Sequence, residues 1–84
     1  MPQLDMKLEK KITRAGRLRK RVLAIKPILL ELGWNKVTDI LLKYYPEYDS
    51  FHQAIIVYYV WNGRSTDTKL TEIFEDIAKG KLHL

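Results

Sequence analysis

Apolar residues in this chain return at steps of three and four almost from end to end, and that spacing admits helices and little else. Leu8, Ile12, Ala15, Leu18, Val22 and Ile25 follow one another in this way, as do Val37, Ile40, Leu41 and Tyr44. Phe51, Ala54, Ile55, Tyr58 and Trp61 form a third run, and Leu70, Ile73, Phe74 and Ile77 a fourth. A period of 3.6 residues places such positions on one helix face. The breaks between runs carry the residues that start and stop helices. Asp5, Asn35, Ser50 and Asp67 or Thr68 can open them, and Ser50 with Gln53 has capping-box spacing. Gly33, Gly63 and Gly80 suit C-caps, Pro46 stops the second run, and Ala78 and Leu82 can extend the last contact. Gly16 costs about 1 kcal/mol relative to Ala within a helix, which leaves open whether residues 5–26 form one helix or two. Pro27 disfavours helical geometry at Lys26 and suits the first turn of a separate short helix ending at Gly33. The expected core is Leu18, Val22, Ile25, Leu29, Leu41, Phe51, Ile55, Tyr58, Trp61, Ile73, Phe74 and Ile77.

The segment from Ala54 to Trp61 competes with that reading. It is β-branched and aromatic, and Asn62-Gly63 after it is a hairpin signal. A hairpin needs a second strand, however, and Arg64 to Lys69 is polar without alternation. A buried helix closed by Gly63 is the better reading. Such a helix is apolar almost all round, so Ile56, Tyr59 and Val60 need a second partner. A homodimer interface through residues 54–61 would supply one, as would the N-terminal helix packed across them.

Eighty-four residues make one domain with one modest core, and 46% hydrophobic residues are enough to fill it. There is no cysteine, which removes disulfides and thiol chemistry together. Stability must then come from helix packing or oligomerisation. The N-terminus has no apolar run of the signal-peptide kind, and no stretch approaches the roughly 20 apolar residues that span a bilayer. A soluble, cytoplasmic protein is expected.

Charge is distributed very unevenly. Residues 1–26 hold nine Lys/Arg against Asp5 and Glu9, while residues 27–84 hold six against eight Asp/Glu. The first segment therefore carries +7 and the remainder −2, so the net +5 belongs to one element. Lys7, Lys10, Arg14, Arg17 and Arg21 recur at helical spacing, with Lys11, Arg19, Lys20 and Lys26 around them. A one-sided row of this kind is the footprint of a polyanion-binding surface. A membrane surface is a competing polyanion, but the helix lacks interfacial aromatics and needs its apolar face for the core.

Chemistry-bearing residues are sparse. His52 and His83 lie 31 positions apart with no third ligand at metal-like spacing, and His83 falls in a C-terminus expected to fray. Glu72, Glu75 and Asp76 read as a solvated acidic face. Ser50, Ser65 and Thr66 lack a base and orienting acid, and the four glycines form no phosphate loop. No catalytic residue, metal or cofactor is expected. Tyr44, Tyr45, Tyr48, Tyr58 and Tyr59 could stack on bases, but their helical spacing suits core or interface better.

The stretch Val60-Trp61-Asn62-Gly63-Arg64-Ser65-Thr66-Asp67-Thr68-Lys69-Leu70-Thr71-Glu72-Ile73-Phe74-Glu75-Asp76-Ile77-Ala78 resembles the end of a helix-turn-helix domain of the Cro/repressor and LacI kind. Those families often end the recognition helix in Val-x-Asn-Gly-Lys/Arg, followed by a polar loop and another helix. The resemblance covers about 20 residues well and about 45 loosely, with residues 36–45 as the first helix of the motif and 50–61 as the second. Lys43-Tyr44-Tyr45-Pro46-Glu47-Tyr48-Asp49 departs from the family in being longer and bulkier than its usual turn. The fold so implied is an all-α, compact bundle of four to five short helices. A basic N-terminal helix (about 5–26) precedes a helix-turn-helix-like unit (about 36–63) and a C-terminal helix (about 67–80).

The resemblance implies a small DNA-binding regulator, similar to those carried by phages and mobile elements. In that role Ser50, His52 and Gln53 approach base edges, and Arg64, Ser65, Thr66 and Lys69 contact the backbone beyond the recognition helix. Arg14, Arg17, Arg19, Lys20 and Arg21 add electrostatic grip. Duplex DNA is the expected partner, with RNA as another polyanion. The alternative is an all-helical interaction module, such as a phage accessory or inhibitory protein, whose basic helix docks on an acidic protein.

Overall fold

The computed structural model describes residues 6–84, with side chains from Arg14 onward. The cap expected at Asp5 and the side chains of Lys7, Leu8, Lys10, Lys11 and Ile12 lie outside the described residues. Among the described residues there are four α-helices, α1 (Met6–Leu32), α2 (Trp34–Tyr44), α3 (Phe51–Trp61) and α4 (Thr68–Ala78), with a 3-10 turn at Pro46–Asp49. Among the described residues there is no strand, so residues 54–61 are helix and the all-α expectation holds. The molecule is drawn out along α1, measuring 53 × 26 × 17 Å.

α1 is a single helix, which corrects the expected break at Pro27. Proline removes one intrahelical hydrogen bond, here the one to the carbonyl of Leu23, and its ring crowds the preceding turn. The defect falls on the outer side, since Pro27 and Leu23 are both exposed and water can reach the freed carbonyl. On the inner side Leu18, Val22 and Leu29 are buried, with Ile25 packed against them. That burial carries the helix through the proline. Gly16 likewise lies within the helix.

Gly33 ends α1 and opens α2. Its φ of 93° is left-handed territory, its N–H donates to the Leu29 carbonyl (2.9 Å), and its own carbonyl accepts from Val37 (3.0 Å). α2 therefore begins one residue before the cap expected at Asn35, which sits inside the helix with no capping bond from its side chain. The earlier start brings Trp34 edge-on to Trp61 (5.0 Å between centroids) and Tyr58 (5.9 Å). Val37, Ile40 and Leu41 face inward as expected, but Tyr44 does not. Its hydroxyl donates to the His83 carbonyl (2.9 Å), as does Lys43 Nζ (3.2 Å). The C-terminal turn is thus held rather than frayed, with Leu82 packed on the core.

α4 is the central element, contacting all three other helices. Asp67 caps it, its Oδ1 accepting from the Leu70 N–H at 2.8 Å. Leu70, Ile73, Phe74 and Ile77 are all buried, as their spacing predicts. Phe74 has no exposed surface and meets Trp61 edge-on at 6.0 Å. The one buried polar residue among those described, Thr71, donates to the Asp67 carbonyl (2.7 Å).

α3 carries the largest correction. Ser50 caps it, accepting from the Gln53 N–H (3.3 Å), and Gly63 closes it with a φ of 74°. The N–H of Arg64 reaches the Tyr59 carbonyl (2.9 Å) and that of Gly63 the Val60 carbonyl (3.1 Å), which is a Schellman closure. However, the face turned to the core is Val57, Val60 and Trp61, with Ile56 beside them. The expected core residues Phe51, Ile55 and Tyr58 point outward, Phe51 with 83% of its surface exposed. Periodicity could not choose between two apolar faces of one helix. Packing favours the face that lets Trp61 fill the space between Trp34 and Phe74. The opposite face holds two tyrosines, whose hydroxyls are compatible with water.

Candidate nucleic-acid interface

From Arg14 to Lys26, α1 carries six basic residues and no acidic one. Successive residues turn by 100°, so with Leu18 inward, Arg19, Lys20 and Arg17 cover the outward half of the helix, while Arg14 lies about 40° from Leu18, one turn nearer the N-terminus. All four are exposed. The Arg19 Nε donates to the Gly63 carbonyl (3.3 Å), which uses one of five guanidinium N–H donors and ties the row to the loop after α3. Ser65 and Thr66 of that loop are half-buried and line, with Leu18, Arg19 and Val22, a cavity of about 210 Å³. The structure therefore brings Arg19, Ser65 and Thr66 together beside the row.

Arg21 is engaged differently from its neighbours. Its guanidinium pairs with Glu75 on α4 through two parallel bonds, Nη2 to Oε1 at 2.6 Å and Nε to Oε2 at 3.0 Å. The hydrogen bond to Glu75 raises the Arg21 pKa above its usual value, and the same bond holds Glu75 below the ordinary carboxylate range. Of the acidic cluster expected to be a solvated face, Glu75 is thus an internal partner. Lys26 is also turned inward. Its ammonium donates to the Trp61 carbonyl and lies 4.2 Å from the centre of that indole ring, and burial lowers its pKa.

The remaining candidates are scattered. Lys69 faces the 3-10 turn, 3.5 Å from Glu47 and over the rings of Tyr45 and Tyr48. Asp67 places a carboxylate at the N-terminus of α4, where a phosphate would otherwise be favoured. The amides of Arg64 and Ser65 both donate to the Tyr59 carbonyl. Ser50, exposed His52 and half-buried Gln53 open α3, about 16 Å of helix away from Gly63. The Ser50 hydroxyl oxygen accepts the cap bond, which leaves its O–H as the one donor it can offer. Arg64 is exposed and lines an open concavity with Phe51, Ala54, Ile55, Tyr58 and Tyr59, on the outer side of α3. The partner-seeking face expected of this helix was Ile56, Tyr59 and Val60. Tyr59 is exposed, but Val60 is buried and Ile56 packs on the core, so the open face is the one bearing Phe51, Ile55 and Tyr58.

Among the described residues no group of His, Asp or Glu could hold a metal ion, and no helix is long and apolar enough to cross a membrane. Comparison with protein-family models, with curated proteins and with solved structures gives no match to this chain.

Proposed function

We propose that this is a small duplex-DNA-binding protein of the regulatory kind, gripping the phosphate backbone with the exposed cations of α1. The observation that carries the reading is the row of exposed Arg14, Arg17, Arg19 and Lys20, none of which has a carboxylate partner among the described residues. Lys7, Lys10 and Lys11 continue the row in sequence. Cations placed along one helix suit the regular spacing of duplex phosphates, which position a protein without specifying sequence. The resemblance of residues 60–78 to helix-turn-helix regulators supports the same class of partner. The outer face of α3 offers little to base edges, because it is aromatic and aliphatic rather than amide- or guanidinium-bearing. Affinity in this reading is mainly electrostatic.

Fluorescence anisotropy with a random-sequence duplex tests it. Four neutralised phosphates give a slope of log affinity against log salt of about −3.5 on B-DNA, steeper with each N-terminal lysine that joins in. Absence of binding at low salt would overturn the reading.

A further inference from the structure

We propose that α3 pairs with α3 of a second copy of this chain, antiparallel across a two-fold axis. Phe51, Ala54, Ile55, Tyr58 and Tyr59 are all exposed, and their spacing of three and four makes them one continuous stripe opposite Val57, Val60 and Trp61. Phe51, at 83% exposure, buries almost nothing within its own chain. An aromatic ring so placed has no part in the fold that contains it.

Two observations select a second copy as the occupant. The first is charge. Residues 50–63 contain no Asp, Glu, Lys or Arg, so this surface meets its own image without like-charge contact in a molecule of net charge +5. At the two ends of α3 stand Asp49, just before it and beside Ala54 in the neighbouring groove, and Arg64, just after it and lining the stripe's own concavity. Both are exposed, and neither has an ion-pair partner among the described residues. An antiparallel pair laid about the midpoint of α3 sets Asp49 of each copy beside Arg64 of the other, twice by symmetry. It also sets Phe51 of each copy on the concavity of about 430 Å³ that Tyr58, Tyr59 and Arg64 line. A parallel pair would instead oppose like charges at both ends.

The second observation is area. With aromatic side chains presenting 150–250 Å² each when fully exposed, the stripe offers about 500 Å² per copy. Complete coverage of both stripes buries about 1,000 Å², the lower bound for a specific interface. That predicts a reversible dimer rather than an obligate one. The inference is independent of nucleic-acid binding, since it uses none of the cations of α1.

Sedimentation equilibrium on the full chain tests it without any ligand. An interface of this size calls for a range of about 10–500 µM, over which the mass should rise from that of one chain towards two. One chain is 9.9 kDa. Phe51→Asp should hold the mass at one chain throughout with an unchanged far-UV spectrum, because that ring is not part of the core. Asp49→Arg alone and Arg64→Asp alone should each weaken the dimer, and the two together should restore it. A parent that stays at one chain mass throughout would overturn the proposal and leave the stripe to a different protein. So would a dimer indifferent to Phe51→Asp. Failure of the double charge exchange to restore association would overturn the antiparallel arrangement.

Discussion

Gly33 holds two helices at an angle through a backbone conformation that side chains rarely adopt, with φ at 93° and ψ at 148°. A methyl group there would touch nothing, so the cost of Gly33→Ala is conformational alone. Strain of this kind is worth about 1–3 kcal/mol, and urea denaturation of the variant should show that loss. Glu75 makes stability depend on pH. Arg21 depresses its folded pKa below the ordinary 4.5, so the stabilisation is complete above that value and is lost as pH falls through the lower folded value. Arg21, shifted upward, stays charged throughout. Glu75→Gln should therefore melt below the parent at neutral pH, with the difference shrinking as the pH is taken under about 4.5. Caps were the most legible residues, because Ser50, Asp67 and Gly63 act through their own backbone neighbourhood. The Arg21–Glu75 pair was not legible. It joins residues 54 positions apart, and nothing local distinguishes Arg21 from Arg17.

At the scale of elements, α1 and α3 show where a sequence pattern falls silent. Pro27 is a valid local signal for a helix boundary, overridden because its defect faces water while Leu29, two residues on, is fully buried. Replacing Pro27 by Ala should restore the bond to the Leu23 carbonyl at no cost in core contact. The gain expected in urea denaturation is about 1–3 kcal/mol, since proline is the least favourable residue inside a helix. A neutral or destabilising result would mean that the proline sets a bend which packing requires. In α3 the existence and both ends of the helix were readable, and its orientation was not. A helix with one apolar face announces which side is buried. One with two faces leaves the choice to tertiary shape, here to Trp61 fitting between Trp34 and Phe74. By contrast α4, with a single apolar face, was read correctly at Leu70, Ile73, Phe74 and Ile77, and only Thr71, buried through its bond to the Asp67 carbonyl, went unread.

For the whole molecule, the basic row and the exposed aromatic rings of α3 lie on different elements, although α1 also exposes Leu23, Ile28 and Leu30. The basic row belongs to α1, and the exposed aromatic stripe to α3. The row itself was legible, because charge density along a helix needs no tertiary knowledge. Its division into outward and inward members was not, because that depends on where α4 and Trp61 come to rest. This division makes the last prediction a paired one. Changing Arg14, Arg17 and Lys20 together to Gln removes three cations that touch no carboxylate among the described residues. The salt slope for duplex binding should flatten by about 2.7, at about 0.9 per phosphate contact, with the melting temperature little changed. Arg21→Gln should behave in the opposite way. It leaves Glu75 without its partner and lowers the melting temperature, while the slope changes little because that charge was already neutralised within the fold. Equal effects of Arg17→Gln and Arg21→Gln on the slope would mean that DNA draws Arg21 away from Glu75. The row would then be one continuous surface, as the sequence spacing alone suggests.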